Sequence, residues 1–495
     1  MLVQQQLNTH LIPYRTPLLA SVLLVLVILQ GTSFTLSLAL RSSFGSPSLA
    51  SMVTLLWLAL YTLSAAALLA GHGLNWLTWL VRYRLALMLL MAGTVFSIAW
   101  SVSTFLTVER SIHLVGTTLI ALYIGFSLPL TRILKISAAT LGLLMVASVI
   151  ASLFAPDVGL VEYQGNQVWA GVLASKNTLG FWSAITLLLL VSLTFWTIPT
   201  TTRCFYIALA IVTIVCLYNS QSATSILSLV SAALIMVYLH IAFSLRLSLP
   251  AMLVLGLLVA TLVTMAFYYI DTAELIGRSG DLTGRGEVWA QTWQLILQRP
   301  MTGFGYGTIW YPTEDSVRIQ QSLTDFSWVV FHAHNGLLQL ASEIGLPLTL
   351  LALVMIVQQI IEIVYCQYQR QQPGLLFVLG FSVALLVSNY SEARLLANRE
   401  LYWIFFIALP ISMLQQITVV TSQSGTGLAG TGLPANNAQT QHRTQAQLEK
   451  RRSLKNRLRR RRPITVINDS DKTDTTLDKN DAIKRKLARR QQKAG

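Results

Sequence analysis

Apolar residues fall into long runs broken by short polar stretches over the first 420 positions. The runs are 18–40, 49–70, 85–102, 112–130, 133–154, 179–198, 204–218, 226–243, 249–269, 346–365, 375–389 and 401–418. A membrane-spanning helix needs roughly 20 apolar residues, and fewer inside a bundle. The pattern therefore predicts an all-α polytopic membrane protein with about 12 transmembrane helices. The first run is too long for a removable signal peptide and lacks a small-residue cleavage site.

Composition agrees. Of 495 residues, 54% are hydrophobic and 11% charged, where soluble proteins average about 25% charged. This excludes a soluble multidomain enzyme and a disordered chain. Cys204, Cys216 and Cys366 lie in or beside apolar runs without Cys-x-x-Cys spacing, so neither a disulfide framework nor a zinc site is indicated.

Charge sets the orientation. The net charge is +15, yet residues 421–495 hold 18 Lys and Arg against 6 Asp and Glu. The basic character belongs to a tail and does not indicate nucleic-acid binding. With residues 1–17 cytoplasmic, Arg15, Arg82, Arg84, Arg132, Lys135, Arg203, Arg246 and Arg370 fall inside. An even number of spans returns the tail to the same side. Residues 421–445 read as a flexible linker, and 446–462 as a basic helix for anionic inner-leaflet lipid or a solvated charge run.

This organisation reads as spans one to nine over 18–269, a long external loop at 270–345, spans ten to twelve over 346–420, and the tail. The long loop is the expected seat of function. Its stretch 286–298 has apolar residues at helical spacing, which predicts an amphipathic helix. Gly303-Phe304-Gly305-Tyr306-Gly307 reads as a turn whose N–H groups could approach an anion.

Candidate chemistry gathers at the external ends of the runs. His332-Ala333-His334-Asn335 precedes span ten. On a helix, histidines at i and i+2 would point to different sides, which suits a metal poorly. A neutral imidazole at the boundary suits general base work, and capping or binding of interfacial water is the plainer alternative. Gly284-Arg285-Gly286 clears space around a guanidinium beside a helix N-terminus, a possible phosphate site or an exposed turn arginine. Lys176-Asn177 opens span six, where the lysine either snorkels or faces the interior as an anion partner. Asn389, Glu392, Arg394, Asn398, Arg399 and Glu400 form a charged outer loop, read mostly as a solvated loop with internal pairing.

These segments together resemble the bacterial O-antigen ligase and polymerase superfamily over roughly residues 50–415. Trp169 to Gly180 is similar to the Trp-x-Gly…Lys-Asn-x-Leu-Gly pattern of its exopolysaccharide polymerase branch. Thr283-Gly284-Arg285 with Trp289, Pro300-x-x-Gly303-x-Gly305, and His334-Asn335 with Glu343-Ile344-Gly345 resemble its loop motifs. Glu392, Asn398 and Trp403 resemble a last outer motif.

The resemblance implies a metal-independent, cofactor-free glycosyltransferase of the bacterial inner membrane with a periplasmic catalytic loop. Its donor would be an undecaprenyl-pyrophosphate-linked glycan, and its acceptor a second glycan or a lipid A core. It implies that His334 acts on the acceptor hydroxyl and that Arg285 holds the pyrophosphate. His332, Asn335, Gly284, Glu343, Lys176, Asn177 and Arg394 are the accompanying substrate-binding candidates. Ligases carry a further arginine where this chain reads Tyr218 to Thr224, and Leu348 also departs from their pattern. Both departures favour polymerase over ligase, with Lys176 as a substitute cation. A small-solute or anion transporter is the alternative of another class.

The orientation predicts that a cysteine at position 315 reacts with an impermeant reagent added to intact cells. Labelling confined to lysed cells would invert the topology.

Overall fold

A computed structural model describes residues 17–33, 47–163, 165–195, 198–248, 250–252, 254–256, 285–310, 317, 332–370 and 373–425. Most of the ninth apolar run, the tail beyond 425 with its basic stretch, residues 257–284 and nearly all of 311–331 lie outside them.

Each apolar run within these bounds forms a helix. They are α1 (Pro17–Gly31), α2 (Pro47–His72), α3 (Asn75–Tyr83), α4 (Leu85–Phe96), α5 (Thr104–Ser127) and α6 (Leu130–Phe154). Next come α7 (Lys176–Thr194), α8 (Thr200–Asn219), α9 (Ala223–Ser244), α10 (Arg285–Gln298), α11 (Gly336–Arg370), α12 (Pro373–Asn389) and α13 (Leu401–Gly425). In a membrane the backbone must satisfy itself, and only helices or closed barrels do so.

The described residues hold seven helices long and apolar enough to cross a membrane, or eight if the bent pair α3–α4 is one span. Three shorter apolar helices lie at Pro17–Gly31, Gly374–Asn389 and Leu401–Gln415. The expected count of about twelve is not confirmed by these residues, which leave most of the ninth run undescribed. The run expected at 85–102 is preceded by a separate helix: α3 meets α4 at 100°. Its sequence NWLTWLVRY is amphipathic, as suits a helix lying along an interface.

Two elements are buried on nearly all sides. In α7, Leu179 to Ile185 are all buried, and in α13 every side chain from Leu401 to Gln415 is buried. A helix apolar all round belongs at the centre of a bundle. Around them, α7 packs on α8, α9 and α12, while α13 packs on α5. Outward faces of α8, α9 and α11 expose Ile211, Val237, Leu350 and Val357, which is how lipid-facing helices differ from soluble ones.

The fold is not wholly helical. Leu160–Tyr163 and Asn166–Trp169 pair as a two-stranded antiparallel ribbon, with Leu160 opposite Trp169 and Tyr163 opposite Asn166. The ribbon leads into the N-terminus of α7, and its short run of alternating residues was hidden among the apolar runs.

α11 is two helices joined at a break. Gly345 has φ 81°, ψ 166°, and Pro347 follows. A proline lacks the N–H that a continuous helix needs. The Pro300–Gly307 turn fills the break. Phe304 N–H donates to Ser342 O and Gly305 N–H to Glu343 O, each at 2.9 Å, and Leu346 N–H donates to Pro300 O at 2.8 Å. A Cβ at Gly303 would stand 2.4 Å from the Glu343 carbonyl carbon, at φ +66°. The glycines therefore serve backbone-to-backbone docking. The expected exposure of their N–H groups to an anion is not met, because those of 303, 304 and 305 go to protein carbonyls.

Far along α11, Glu362 accepts from Arg84 Nη1 at 2.7 Å and Nη2 at 2.5 Å. Both side chains are buried, at 2% and 6% exposure. Gln358 donates to the same carboxylate at 3.0 Å. The pair ties the α3–α4 corner to α11. Arg84→Met alone should lower unfolding stability by about 3–5 kcal/mol, because it strands a buried carboxylate. Adding Glu362→Leu should recover much of the loss. Denaturant unfolding in detergent checks this, and equal stability of single and double variants would count against it.

Candidate functional site

One end of the bundle carries a cavity of about 750 Å³. Its walls come from the N-termini of α5, α7 and α11, the glycine turn, and the α12–α13 loop. Arg110, Asn177, Tyr306, His332, His334, Glu343, Glu392, Arg394, Asn398 and Glu400 all reach it.

The histidines are placed by the start of α11. Asn335 Oδ1 accepts from Leu337 N–H at 3.0 Å and Leu338 N–H at 3.1 Å, so Asn335 caps the helix. Its Nδ2 donates to Tyr390 O at 3.2 Å, tying the cap to the α12–α13 loop. His334 sits just before the cap with φ 50°, a left-handed geometry that histidine tolerates better than bulky residues. Trp289 of α10 donates from Nε1 to the His334 carbonyl at 3.2 Å. These constraints aim both rings into the cavity, with centroids 3.8 Å apart. The expectation that the two would point apart assumed a helix. They lie before the helix instead.

His332, His334 and Glu392 each offer a donor atom within 4.8 Å of the others. Two ligands at ~2.1 Å from one zinc ion span at most about 4.2 Å. These three residues could therefore hold a divalent cation with at most a small closure. Glu392 is already oriented: Asn177 Nδ2 donates to its Oε1 at 2.8 Å, and Ser222 Oγ donates to Asn177 Oδ1 at 3.3 Å.

Lys176 neither snorkels nor lines the cavity. It is buried, its Nζ donates to Gln221 O at 3.3 Å, and it stands 3.8 Å from the Tyr163 ring centroid. The ribbon thus covers it. Ser175 caps α7 by accepting from Thr178 N–H at 3.1 Å, which turns Asn177 rather than Lys176 to the cavity. Gly284 lies outside the described residues, and Arg285 is described only as the backbone start of α10.

The α12–α13 loop is not a solvated loop with internal pairing. Arg394 is 6% exposed. Its guanidinium lies 4.5 Å from the Phe181 ring centroid and 4.4 Å from that of Tyr402, and its Nε donates to Ser388 Oγ. Asn389 Oδ1 accepts from the N–H groups of Arg394 and Leu395 at 2.9 and 3.0 Å, folding the loop inward. Arg399 pairs with Glu109 of α5 at 3.6 Å. On the opposite wall, Glu343 is buried, accepts from Gln339 Nε2 at 3.3 Å, and receives the Gly307 N–H. Tyr306 donates to Leu396 O at 2.5 Å, so the turn and the loop close on each other.

Residues 207–353 match the family model described as O-antigen ligase. A relative, the exopolysaccharide production protein ExoQ of Rhizobium meliloti (strain 1021), is 25% identical over 357 residues, covering 67% of this chain and 79% of that protein. Both similarities support the resemblance to the O-antigen ligase and polymerase superfamily. The chain is a multi-pass membrane protein. The region matching the superfamily model carries Arg285, both histidines, Asn335 and Glu343. Asn177, Glu392, Arg394, Asn398 and Glu400 lie outside that region and supply the facing wall. Arg110 was not singled out by sequence reasoning, Glu400 was read only as part of a charged outer loop, and Tyr306 only as part of the glycine turn. Only the outer-loop motif around Glu392 and Asn398 pointed toward this wall.

Burial pushes the Glu400 carboxyl up to about 8, against the lowering fields of Arg394 and Arg399. The folded value lies above the unfolded one, about 4.3. The protonated acid is therefore favoured in the fold. Its stabilising contribution is complete below the unfolded value and is lost as pH rises through about 8. Glu400→Gln should abolish this share of the dependence. Between pH 5 and 9 the wild-type midpoint should fall by roughly 1–3 °C more than that of the variant. Parallel thermal melts across that range decide it, and identical slopes would count against a raised Glu400.

Proposed function

We propose that this protein is a membrane glycosyltransferase that polymerises undecaprenyl-pyrophosphate-linked oligosaccharide repeat units at the periplasmic face. The observation that carries the reading is the convergence of the His332-Ala333-His334-Asn335 segment with Asn177 and Glu392 on one polar cavity. These come from the motifs by which the sequence resembles the exopolysaccharide polymerase branch.

A sugar hydroxyl is a poor nucleophile and needs a positioned base. His334 takes the hydroxyl proton as the oxygen attacks the anomeric carbon of the donor. The bond from that carbon to the pyrophosphate oxygen breaks, and undecaprenyl pyrophosphate leaves with the bonding pair. Arg285, at the start of α10, is the loop cation assigned to the departing charge. Asn335 holds the helix start that presents His334, and the walls exclude water from the activated sugar.

Polymerase is preferred to ligase because Ser222 occupies the stretch where ligases carry an arginine, and here it bonds Asn177. The name of the Rhizobium relative, an exopolysaccharide production protein, points the same way. The transporter alternative is less favoured. From Pro347 to Glu362 the second segment of α11 advances roughly 22 Å at 1.5 Å per residue, and the Arg84–Glu362 pair at the far end is closed on itself.

Purified protein in proteoliposomes, given a lipid-linked repeat unit as sole substrate, should yield a ladder of longer lipid-linked glycans. Transfer appearing only on addition of lipid A core would make it a ligase. His334→Ala should reduce the ladder at least about a hundredfold at normal abundance, and His332→Ala should act more mildly. Arg285→Lys should fail nearly as badly as Arg285→Ala, because the planar fork is lost. EDTA should leave the ladder unchanged; inhibition reversed by zinc would reassign His332, His334 and Glu392 as ligands.

A further inference from the structure

The α12–α13 loop holds a built cation that the reaction scheme above does not use. Arg394 is 94% buried, judged by its 6% exposure, yet it lines the cavity. Its guanidinium is clamped by two rings, at 4.5 Å from Phe181 and 4.4 Å from Tyr402. Its Nε is engaged by Ser388 Oγ and its backbone N–H by Asn389 Oδ1. Among the described residues, no carboxylate lies within ion-pair distance of it. The other loop arginine, Arg399, has Glu109 at 3.6 Å, and the buried Arg84 has Glu362 at 2.5 Å. Unlike Arg84 and Arg399, Arg394 is held by rings and a hydroxyl instead of a counter-ion.

A guanidinium stays charged at any pH a protein survives, and burying it costs several kcal/mol unless an anion or hydrogen bonds compensate. Ring faces and one serine supply part of that compensation. Glu400 is nearby but does not close on it, and its carboxyl is held toward the neutral form by burial. The two Nη groups form the fork that binds phosphoryl oxygens in pairs. Their plane is fixed before any ligand arrives, which lowers the entropic cost of binding.

We infer that Arg394 is a phosphate-binding cation of the site, a preformed fork for the diphosphate of the lipid carrier on the α12–α13 wall of the cavity. This rests on the proposed transfer reaction and assigns to Arg394 the place that Lys176, covered by Tyr163, does not take.

The test uses the full-length protein in nanodiscs and two probes, undecaprenyl pyrophosphate and undecaprenyl phosphate, with binding read by native mass spectrometry. The wild type should prefer the diphosphate. Arg394→Met, which keeps an apolar stem between the rings, should lose roughly ten- to hundredfold in diphosphate affinity while monophosphate binding changes little. Arg394→Lys should lose nearly as much, since an ammonium has no fork. A folded Arg394→Met with wild-type diphosphate affinity overturns the assignment. If that variant fails to insert, an unaltered preference in Arg394→Lys overturns it equally. A wild type that binds no diphosphate also overturns it. Arg394-dependent diphosphate binding by a protein that builds no glycan ladder would sink the transfer reaction and leave this site standing. A ladder-forming protein indifferent to Arg394 would do the reverse.

Discussion

The docking of the Pro300–Gly307 turn into the broken helix α11 sets the geometry of everything around the cavity. A break in a helix at membrane depth frees backbone groups that hydrocarbon cannot satisfy, so it survives only where protein satisfies them. Here the turn's N–H groups meet the carbonyls of Ser342 and Glu343, and the Leu346 N–H meets the carbonyl of Pro300. Three consequences follow from this one arrangement. The first turns of α11 are free to tilt away from the long membrane segment. Glu343 is carried into the cavity with the Gly307 N–H on it. Tyr306 is delivered to the Leu396 carbonyl, which closes the turn against the opposite loop.

Electrostatics explains why the second wall must be tight. The cavity gathers Arg110, Arg394, Glu343, Glu392 and Glu400 in a confined space with two imidazoles. Charges in such a place interact strongly. The arrangement disperses them into separate partnerships. Asn177 orients Glu392, Gln339 and the turn hold Glu343, Glu109 takes Arg399, and aromatic rings take Arg394. The site therefore offers both donors and acceptors to a polar ligand without collapsing on itself.

Much of this was legible in the chain, and the limits are physical. Apolar runs predict helices well because hydrocarbon imposes one local rule on every residue. Runs are poorer guides where that rule is suspended. The α3–α4 corner is such a place: Arg84 finds Glu362 across 278 positions, and no local pattern encodes that pairing. The ribbon at 160–169 is another, since four-residue strands leave little periodicity to read. Lys176 was misread because its helix cap rotates Asn177 toward the cavity and leaves the lysine to the ribbon. The histidine pair was placed at the right end of the right helix. Its geometry depended on a left-handed residue at His334, which composition does not reveal.

The absence of an arginine near Ser222 changes the shape of the argument about acceptors. Ser222 lies at the entry to α9 and spends its hydroxyl on Asn177 and on Ser225, at 3.3 and 2.8 Å. Thr224 likewise contacts Ser391 of the α12–α13 loop at 2.8 Å. An arginine there would project a cation into the space behind Asn177 and compete with it for Glu392. With serine in place, α7, α9 and the outer loop are joined by small neutral hydroxyls, and Glu392 remains available at the cavity surface beside His334. The neutral stretch around Ser222 and Asn177, with its one oriented carboxylate, suits a sugar acceptor, whose hydroxyls need acceptors and donors in close order. The polymerase reading is thus favoured by what fills the position of the missing arginine as well as by its absence.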